Sequence, residues 1–215
     1  MSTWGIVVAG GTGTRFGTAK QFESFGGARL VDRAVEATAA ACDEVVVVLP
    51  DAHTWDGPSV AAAVVGGATR SASVRAGLAA VAPSATIVVV HDAARPMASP
   101  ALFDAVIGAV RRGADAAVPA VPVPDTVKRV DGDEVVETVS RDGLVAVQTP
   151  QAFRADALRA AHAAGADATD DAALIEAADG RVVIVPGDRA NLKVTTPADL
   201  VMAVAILARA SQEHS

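Results

Sequence analysis

The sequence predicts an α/β fold, in which a mostly parallel sheet carries helices on both faces. Apolar runs without polar alternation, at 6–9, 44–49 and 86–90, are typical of strands that are buried on both faces. Helical patterns alternate with these runs along the chain, as they do in parallel sheets. A length of 215 residues, 51% of them hydrophobic, suits one globular domain.

The remaining elements follow from apolar spacing and from helix start signals. Thr69 and Thr169 are placed to cap the helices that follow them, and Pro100 suits a first helical position. The predicted strands are 6–9, 44–49, 59–65, 86–90, 116–121 and 182–185, and the predicted helices are 29–41, 69–81, 100–112, 154–164, 170–178 and 197–210.

A β-hairpin interrupts this alternation and protrudes as an arm at about 122–147. Two alternating segments, 126–130 and 134–139, flank Asp131-Gly132-Asp133, which is a strong hairpin signal. A two-stranded ribbon is marginal by itself in water, so we expect another surface to cover it. A second subunit is the favoured cover, and packing on its own domain is the alternative.

Composition excludes several classes of function. The net charge of −7 argues against a nucleic-acid partner. The longest apolar run, 200–208, is far shorter than the roughly 20 residues that a membrane span needs. No signal peptide is visible before the first strand, and Cys42 is the only cysteine, so it forms no internal disulfide. These features fit a cytoplasmic enzyme.

A glycine-rich loop with two cations, at 9–21, follows the first strand. Glycine lets backbone N–H groups approach a ligand closely, and Arg15 and Lys20 would offset the charge of a polyphosphate. A solvated β-to-helix turn is the alternative interpretation. The loop is not a P-loop, because Ala19 and Gln21 flank the lysine. A dinucleotide fingerprint would require glycine at Phe16.

Polar clusters follow three of the predicted strands, at 10–20, 66–73 and 92–95. Ligands of doubly wound sheets bind at the carboxyl ends of strands. Asp92 ends a fully apolar strand, so we expect it to serve a Mg²⁺ ion held on phosphates; capping of the next segment is the alternative. His91 is expected to be a buried supporting histidine, and the sequence offers no nucleophile in a Gly-x-Ser-x-Gly setting.

Six motifs follow one another along the chain: the glycine loop with Lys20-Gln21, and then His91-Asp92-Ala93-Ala94-Arg95-Pro96, Asp125-Thr126-Val127-Lys128-Arg129, Arg141-Asp142-Gly143-Leu144, Thr149-Pro150-Gln151 and Asn191-Leu192-Lys193-Val194-Thr195. In this order they resemble the motifs of the 2-C-methyl-D-erythritol 4-phosphate cytidylyltransferase family, sugar-phosphate cytidylyltransferases that act in isoprenoid biosynthesis. The resemblance runs essentially from end to end and implies a single Rossmann-like nucleotidyltransferase domain over 1–215.

The resemblance implies cytidylyl transfer from CTP to 2-C-methyl-D-erythritol 4-phosphate, giving CDP-methylerythritol and pyrophosphate, with Mg²⁺ as the cofactor and a homodimer joined through the arm. Catalysis would use four cationic side chains, namely Arg15, Lys20, Arg141 and Lys193. CTP would be held by Ala9, Gly10, Gly11, Thr12, Gly13, Gly67, Ser73 and Asp92. The acceptor would be held by Arg95, Thr126, Arg141, Thr149, Thr169 and Lys193, with Thr126 and Arg141 completing the site of the neighbouring subunit.

Three alternatives stay open at this point. The same chemistry on another polyol phosphate, such as ribitol 5-phosphate, would use the same fold and loop. A nicotinamide-dependent oxidoreductase is disfavoured by Phe16 and by the lack of an acid at the next strand end. A non-catalytic nucleotide-binding module would not need Arg15, Lys20, Asp92 and Lys193 together.

Overall fold

The computed structural model describes residues 1–11, 19–51 and 53–213, with side chains up to residue 209. Within these ranges the strands are β1 (Thr3–Val8), β2 (Ser24–Phe25), β3 (Ala28–Arg29), β4 (Glu44–Leu49), β5 (Ala62–Val65), β6 (Ile87–Asp92), β7 (Ala116–Pro122), β8 (Val127–Asp131), β9 (Glu134–Val139), β10 (Val145–Val147), β11 (Gln151–Arg154) and β12 (Val182–Pro186). The helices are α1 (Leu30–Ala39), α2 (Arg70–Ala80), α3 (Pro100–Arg111), α4 (Ala155–Ala163), α5 (Asp171–Ala177) and α6 (Pro197–Glu213).

The central sheet of the described residues contains eight strands in the order β10-β7-β11-β6-β1-β4-β5, and β12 also pairs with β7. The β6-β1-β4-β5 half is parallel, as predicted, and β12 runs parallel to β7. β10 and β11 run antiparallel to their neighbours and were not predicted as strands. These two short strands return the chain from the ribbon to the core.

Helices cover both faces of the sheet, as the apolar runs predict. Successive residues of a strand point to opposite faces. Val46 and Val48 of β4 therefore pack in the cluster that contains α2, α4 and α5 residues. Val45 and Val47 pack in the cluster that contains α1 residues, and α3 packs on the same face further along the sheet.

Several predicted boundaries were wrong, and the first strand begins at Thr3 instead of residue 6. The third predicted strand begins at Ala62 instead of residue 59, and Arg154 ends β11 instead of beginning α4. Thr169 does not cap α5: the side chain of Asp170 accepts the hydrogen bond from the backbone N–H of Ala173. Thr69 does cap α2, because its hydroxyl accepts from the backbone N–H of Ala72 at 3.0 Å.

The predicted hairpin forms a separate two-stranded sheet of β8 and β9. Gly132 lies in its tight turn with a φ of 54°, a left-handed conformation that glycine adopts without strain. Arg129 and Glu137 form a cross-strand ion pair at 3.0 Å. Val130, Val135 and Val136 are 58%, 60% and 62% exposed, so the ribbon has an apolar surface that its own chain does not cover.

Helix α6 packs between the N-terminal part of the chain and the segment that contains Lys193. Ala203 of α6 packs with Phe25, Leu30 and Val194 in a small buried cluster. This packing fixes the segment that precedes α6 next to β2, β3 and the start of α1. Among the described residues, no helix is long and apolar enough to cross a membrane.

Candidate functional site

The described parts of the three predicted polar clusters meet at one edge of the sheet. Val8, the last residue of β1, pairs in register with Asp92 of β6, and its carbonyl accepts from the N–H of Ala93 at 3.1 Å. On the other side of β4, the N–H of Gly66 donates to the carbonyl of Leu49 at 2.8 Å. The loops that follow β1, β5 and β6 therefore open onto the same edge.

Ser73 of α2 holds two of these loops close together. Its hydroxyl oxygen accepts from the N–H of Gly67 at 3.2 Å and lies 3.0 Å from the carbonyl oxygen of Thr69. A Cβ added at Gly66 would approach this oxygen to 2.7 Å, and one added at Gly10 to 3.1 Å. Glycine at these positions lets the backbones pack directly around the hydroxyl.

Gln21 closes the base of the glycine loop. Its side chain is buried, and Nε2 donates to the carbonyls of Ala9 at 2.8 Å and Gly11 at 3.0 Å. Lys20 precedes it as the first residue of a short 3-10 helix, Lys20–Phe22. The predicted site residues Thr12, Gly13 and Arg15 lie outside the described residues.

Asp92 lies between two cations that come from distant parts of the chain. Oδ2 accepts from Nζ of Lys193 at 2.6 Å, and Oδ1 lies 3.3 Å from Nη2 of Arg70. Burial disfavours the charged carboxylate, but Arg70 and Lys193 outweigh this and hold the pKa of Asp92 well below its usual range. The side chain of Lys193 is 41% exposed, so its ammonium can still contact a ligand.

Arg70 also reaches a second carboxylate, on the first residue of α5. Its Nη1 lies 2.7 Å from Oδ2 of Asp171, which is fully buried. The other oxygen of Asp171 lies 3.0 Å from Nε2 of His162 in α4. The guanidinium of Arg70 therefore connects the end of β6 to the helices α4 and α5.

Two buried polar side chains, those of His91 and Thr149, lie beside the backbone of Asp92. His91 is fully buried, and its Nε2 lies 3.1 Å from the carbonyl oxygen of Arg95. The hydroxyl of Thr149 lies 3.1 Å from Nδ1 of His91 and accepts from the backbone N–H of Asp92 at 3.0 Å. The Thr149 hydroxyl therefore joins the ring of His91 to the backbone of Asp92.

The loop before Lys193 is tied to the end of β6. Arg95 donates from Nη1 to the carbonyl of Asn191 at 2.7 Å, and Asn191 donates from Nδ2 to the carbonyl of Thr149 at 2.9 Å. The N–H of Val194 donates to the carbonyl of Ala94 at 2.8 Å. These bonds place Lys193 over Asp92.

The arm residues and Thr169 are not part of this cluster in a single protomer. Thr126 and Arg141 are exposed, and the guanidinium of Arg141 donates to the carbonyl of Pro124 in the same arm. Thr169 is also exposed, in the loop before α5. The other acceptor residues that the sequence predicts, Arg95, Thr149 and Lys193, all belong to the network around Asp92.

Arg70, Gln21 and Asn191 take part in the site without having been predicted as site residues. Gln21 and Asn191 stand in the motifs that carry the family resemblance, which is a signal that could have found them. Arg70 follows the cap Thr69 and looks like an ordinary helix-surface arginine. Its carboxylate partners lie 22 and 101 residues away, and no local pattern indicates them.

The described residues offer no cluster of three or more His, Cys, Asp or Glu side chains that could hold a metal ion by itself. Asp92 is the one predicted metal ligand. Mg²⁺ in phosphate-transfer sites is commonly bound by one or two carboxylates together with substrate phosphates and water. A single carboxylate at this edge therefore fits a cation that is carried mainly by phosphates.

Comparisons with known proteins identify the family to which this chain belongs. The family model for 2-C-methyl-D-erythritol 4-phosphate cytidylyltransferase (IspD) matches residues 4–209. An enzyme of that name from Nocardia farcinica is 48% identical over 217 residues, which cover 95% of this chain and 93% of that protein. A bifunctional enzyme IspD/IspF from Clavibacter michiganensis is also 48% identical, and this chain spans 54% of its length.

A solved structure shows the same fold. The crystal structure of 2-C-methyl-D-erythritol 4-phosphate cytidylyltransferase from Thermus thermophilus superimposes with a TM-score of 0.84 at 39% identity, covering 97% of this chain and all of that one. The residues that the family model matches include the glycine loop, Asp92 and the Lys193 segment. The chain therefore belongs to the 2-C-methyl-D-erythritol 4-phosphate cytidylyltransferase family of nucleotidyltransferases.

Proposed function

We propose that this chain transfers the cytidylyl group of CTP to 2-C-methyl-D-erythritol 4-phosphate, giving CDP-methylerythritol and pyrophosphate. The observation that carries the proposal is the 2.6 Å pair between Lys193 and Asp92, directly beside the strand that leads into the glycine loop. The ammonium of Lys193, which would bind the acceptor phosphate, and the glycine loop, which would bind the triphosphate, therefore lie at the same edge of the sheet.

The nucleotide half of the site is formed by the loops after β1 and β5. Backbone N–H groups of Ala9, Gly10, Gly11, Thr12 and Gly13 would bind the triphosphate, because amides in glycine-rich loops complement phosphate oxygens. Gly67 and Ser73 would contact cytosine. The close packing of Ser73 against the Gly66-Gly67 backbone fixes the loop that would meet the base.

The reaction needs no protein nucleophile. An oxygen of the acceptor phosphate forms a bond to the α-phosphorus of CTP. The bond between the α-phosphorus and the oxygen that bridges it to the β-phosphate breaks, and pyrophosphate leaves. Catalysis then consists of positioning and charge stabilisation. Arg15 and Lys20 would stabilise the charge on the α-phosphate and the leaving group, and Lys193 would aim the acceptor phosphate.

A divalent cation, which we propose to be Mg²⁺, would accompany CTP. Asp92 would hold it at the strand end, and when bound the cation would neutralise phosphate charge. Asp92 already accepts from Lys193 and Arg70, so it would share its carboxylate among three cations. This geometry favours a cation that is coordinated mainly by the phosphates of CTP and to a smaller extent by Asp92.

The acceptor half of the site would be completed by a second subunit. Thr126 and Arg141 lie in the exposed arm, away from the Asp92 network of their own protomer. The exposed valines of the ribbon, Val130, Val135 and Val136, supply an apolar surface for a partner. We therefore propose a homodimer in which each arm contributes Arg141 to the neighbouring site.

Pyrophosphate release tests the function directly. CTP and UTP are each offered with methylerythritol phosphate or ribitol 5-phosphate, at equal concentrations of enzyme. Rapid release only with CTP and methylerythritol phosphate is the expected result. Equal or greater release with ribitol 5-phosphate would overturn the proposed acceptor, and no release with either acceptor would overturn the function.

A further inference from the structure

Arg70 spans two carboxylates that belong to different parts of the fold. It begins α2, directly after the capping residue Thr69 and three residues after Gly67. Its Nη2 and Nε lie 3.3 and 3.4 Å from Oδ1 of Asp92, and its Nη1 lies 2.7 Å from Oδ2 of Asp171. The planar guanidinium fork can make both sets of contacts at once, which a lysine ammonium would do less well.

Both carboxylates are removed from water. The side chain of Asp92 is 10% exposed, and that of Asp171 is fully buried. Buried ionised groups are stable only when they are paired and hydrogen-bonded. Arg70 gives Asp171 its cationic partner and neutralises one side of Asp92, which leaves Oδ2 of Asp92 directed at Lys193.

We propose that Arg70 is a positioning residue for the acceptor phosphate. It acts through Asp92: the Arg70 bridge, formed by Arg70, Asp171 and Asp92, fixes the carboxylate that orients the ammonium of Lys193. The inference rests on the proposed function, because it assigns Lys193 to the acceptor. Arg70 itself would contact neither substrate.

The bridge also links the two halves of the site. Arg70 stands in the first turn of the helix whose preceding loop would read cytosine. Asp171 follows the segment that carries Thr169. The same helix turn bonds that segment again through Ser71, whose hydroxyl accepts from the N–H of Ala168 at 3.2 Å. Because Arg70 acts through the carboxylate that orients Lys193, its loss should raise the acceptor KM, with a smaller effect on the CTP KM.

The test compares Arg70→Gln with Arg75→Gln. Arg75 lies in the same helix and contacts the same segment, through the carbonyl of Ala166 at 2.9 Å and Asp167 at 3.4 Å, but it does not reach Asp92. Initial rates give the KM for methylerythritol phosphate at saturating CTP and the KM for CTP at saturating acceptor. Circular dichroism and active-fraction titration correct for unfolded protein.

Arg70→Gln should raise the acceptor KM about tenfold or more and lower kcat, since one charged hydrogen-bond partner of Asp92 is lost. The CTP KM should rise by a smaller factor, because Asp92 would also hold the cation that accompanies CTP. Arg70→Lys should recover part of the loss. Arg75→Gln should behave like the parent enzyme. An active Arg70→Gln enzyme with both KM values unchanged, or an equal effect in Arg75→Gln, would overturn the proposal.

A second measurement does not depend on turnover. Unfolding free energies of Arg70→Gln, Asp92→Asn and the double variant should be non-additive if the two side chains interact, and additive changes would overturn the bridge. If Arg70→Gln does not fold, Asp171→Asn takes its place, because it keeps the shape of the side chain. Asp171→Asn should raise the acceptor KM by a smaller factor than that expected for Arg70→Gln. A parent enzyme that releases no pyrophosphate would instead overturn the proposed function.

Discussion

The hydroxyl of Thr149 lies 3.1 Å from Nδ1 of His91, and this contact defines the state of a fully buried histidine. Nε2 of the same ring faces a carbonyl oxygen, that of Arg95, so Nε2 carries the proton. Nδ1 then accepts from Thr149, whose oxygen accepts in turn from the N–H of Asp92. The end of β6 is thus held by one side chain of the loop before β11.

Replacement of Thr149 by valine should destabilise the protein by about 1–3 kcal/mol, since it leaves Nδ1 of His91 and the N–H of Asp92 buried without partners. Urea unfolding gives the free energy of unfolding. Thr86→Val is the matched control, because Thr86 is exposed and its hydroxyl donates to the carbonyl of Ser2. Equal losses in the two variants would contradict this account.

Stability should rise with pH between about 4 and 6.5. Burial lowers the pKa of His91 to about 4 from its ordinary value of 6.5. The unfolded chain binds a proton in this window that the folded chain does not, so unfolding is favoured as the pH falls. The His91 contribution amounts to about 2 kcal/mol between pH 8 and pH 5.

The free energy of unfolding at these two pH values, measured in urea, checks this expectation. His91→Gln should show a smaller drop than the parent protein. His53→Gln should show the full drop, because His53 is exposed. A parent-like drop in His91→Gln would assign the pH dependence to other groups.

Lys20→Ala should lower the turnover number by about 10²–10³-fold, comparable to the loss of one donor to a developing oxyanion. Lys20→Arg should also lower it, because a guanidinium is a broad fork and not a point charge. Steady-state kinetics with CTP and methylerythritol phosphate measures both effects. Parent-like turnover in Lys20→Ala would remove Lys20 from the catalytic groups.

Mixed dimers should show whether the arm serves the neighbouring subunit. A heterodimer of Lys20→Ala and Arg141→Ala chains contains one intact site if Arg141 acts across the interface, since the Lys20→Ala chain donates its arm to the other subunit. It contains none if Arg141 acts within its own protomer. Activity of purified, differently tagged heterodimers is compared with that of each variant alone, and no recovery would contradict the shared site.

Cys42 should be inert in the folded protein. Burial, with a smaller contribution from Asp43, raises the pKa of its thiol to about 12. Thiolate is the reactive form and is nearly absent at pH 8 under these conditions. Titration with a thiol-specific disulfide reagent should therefore be slow in buffer and rapid in urea. Rapid stoichiometric labelling of native protein would show that Cys42 is accessible.

Local sequence patterns predicted most of the fold. Strands β1, β4 and β6 are continuous apolar runs, and the Asp131-Gly132 turn locates the ribbon. β10 and β11 are only three and four residues long, and their pairing with β7 is determined by tertiary contacts. The wrong cap of α5 arose because Thr169 and Asp170 are adjacent and both are good capping residues.

The site was less predictable than the fold. Asp92 stood out as a carboxylate at the end of an apolar strand, and the structure gives its partners: two cations and no helix to cap. His91 was expected to be a buried supporting residue, and this is confirmed. Arg70 was missed because its ion-pair partners lie 22 and 101 residues away in the sequence, and neither periodicity nor motif spacing indicates contacts over such distances.

The pairing of Lys193 with Asp92 has a consequence for synthesis on the ribosome. The sheet strands β1, β4, β5 and β6 are all complete by residue 92, and the glycine loop is among the earliest segments to emerge. Lys193 is translated about a hundred residues after its carboxylate partner. A nascent chain therefore contains the strand-end carboxylate of Asp92 long before it contains the lysine that pairs with it, so the ion pair can form only near the end of translation.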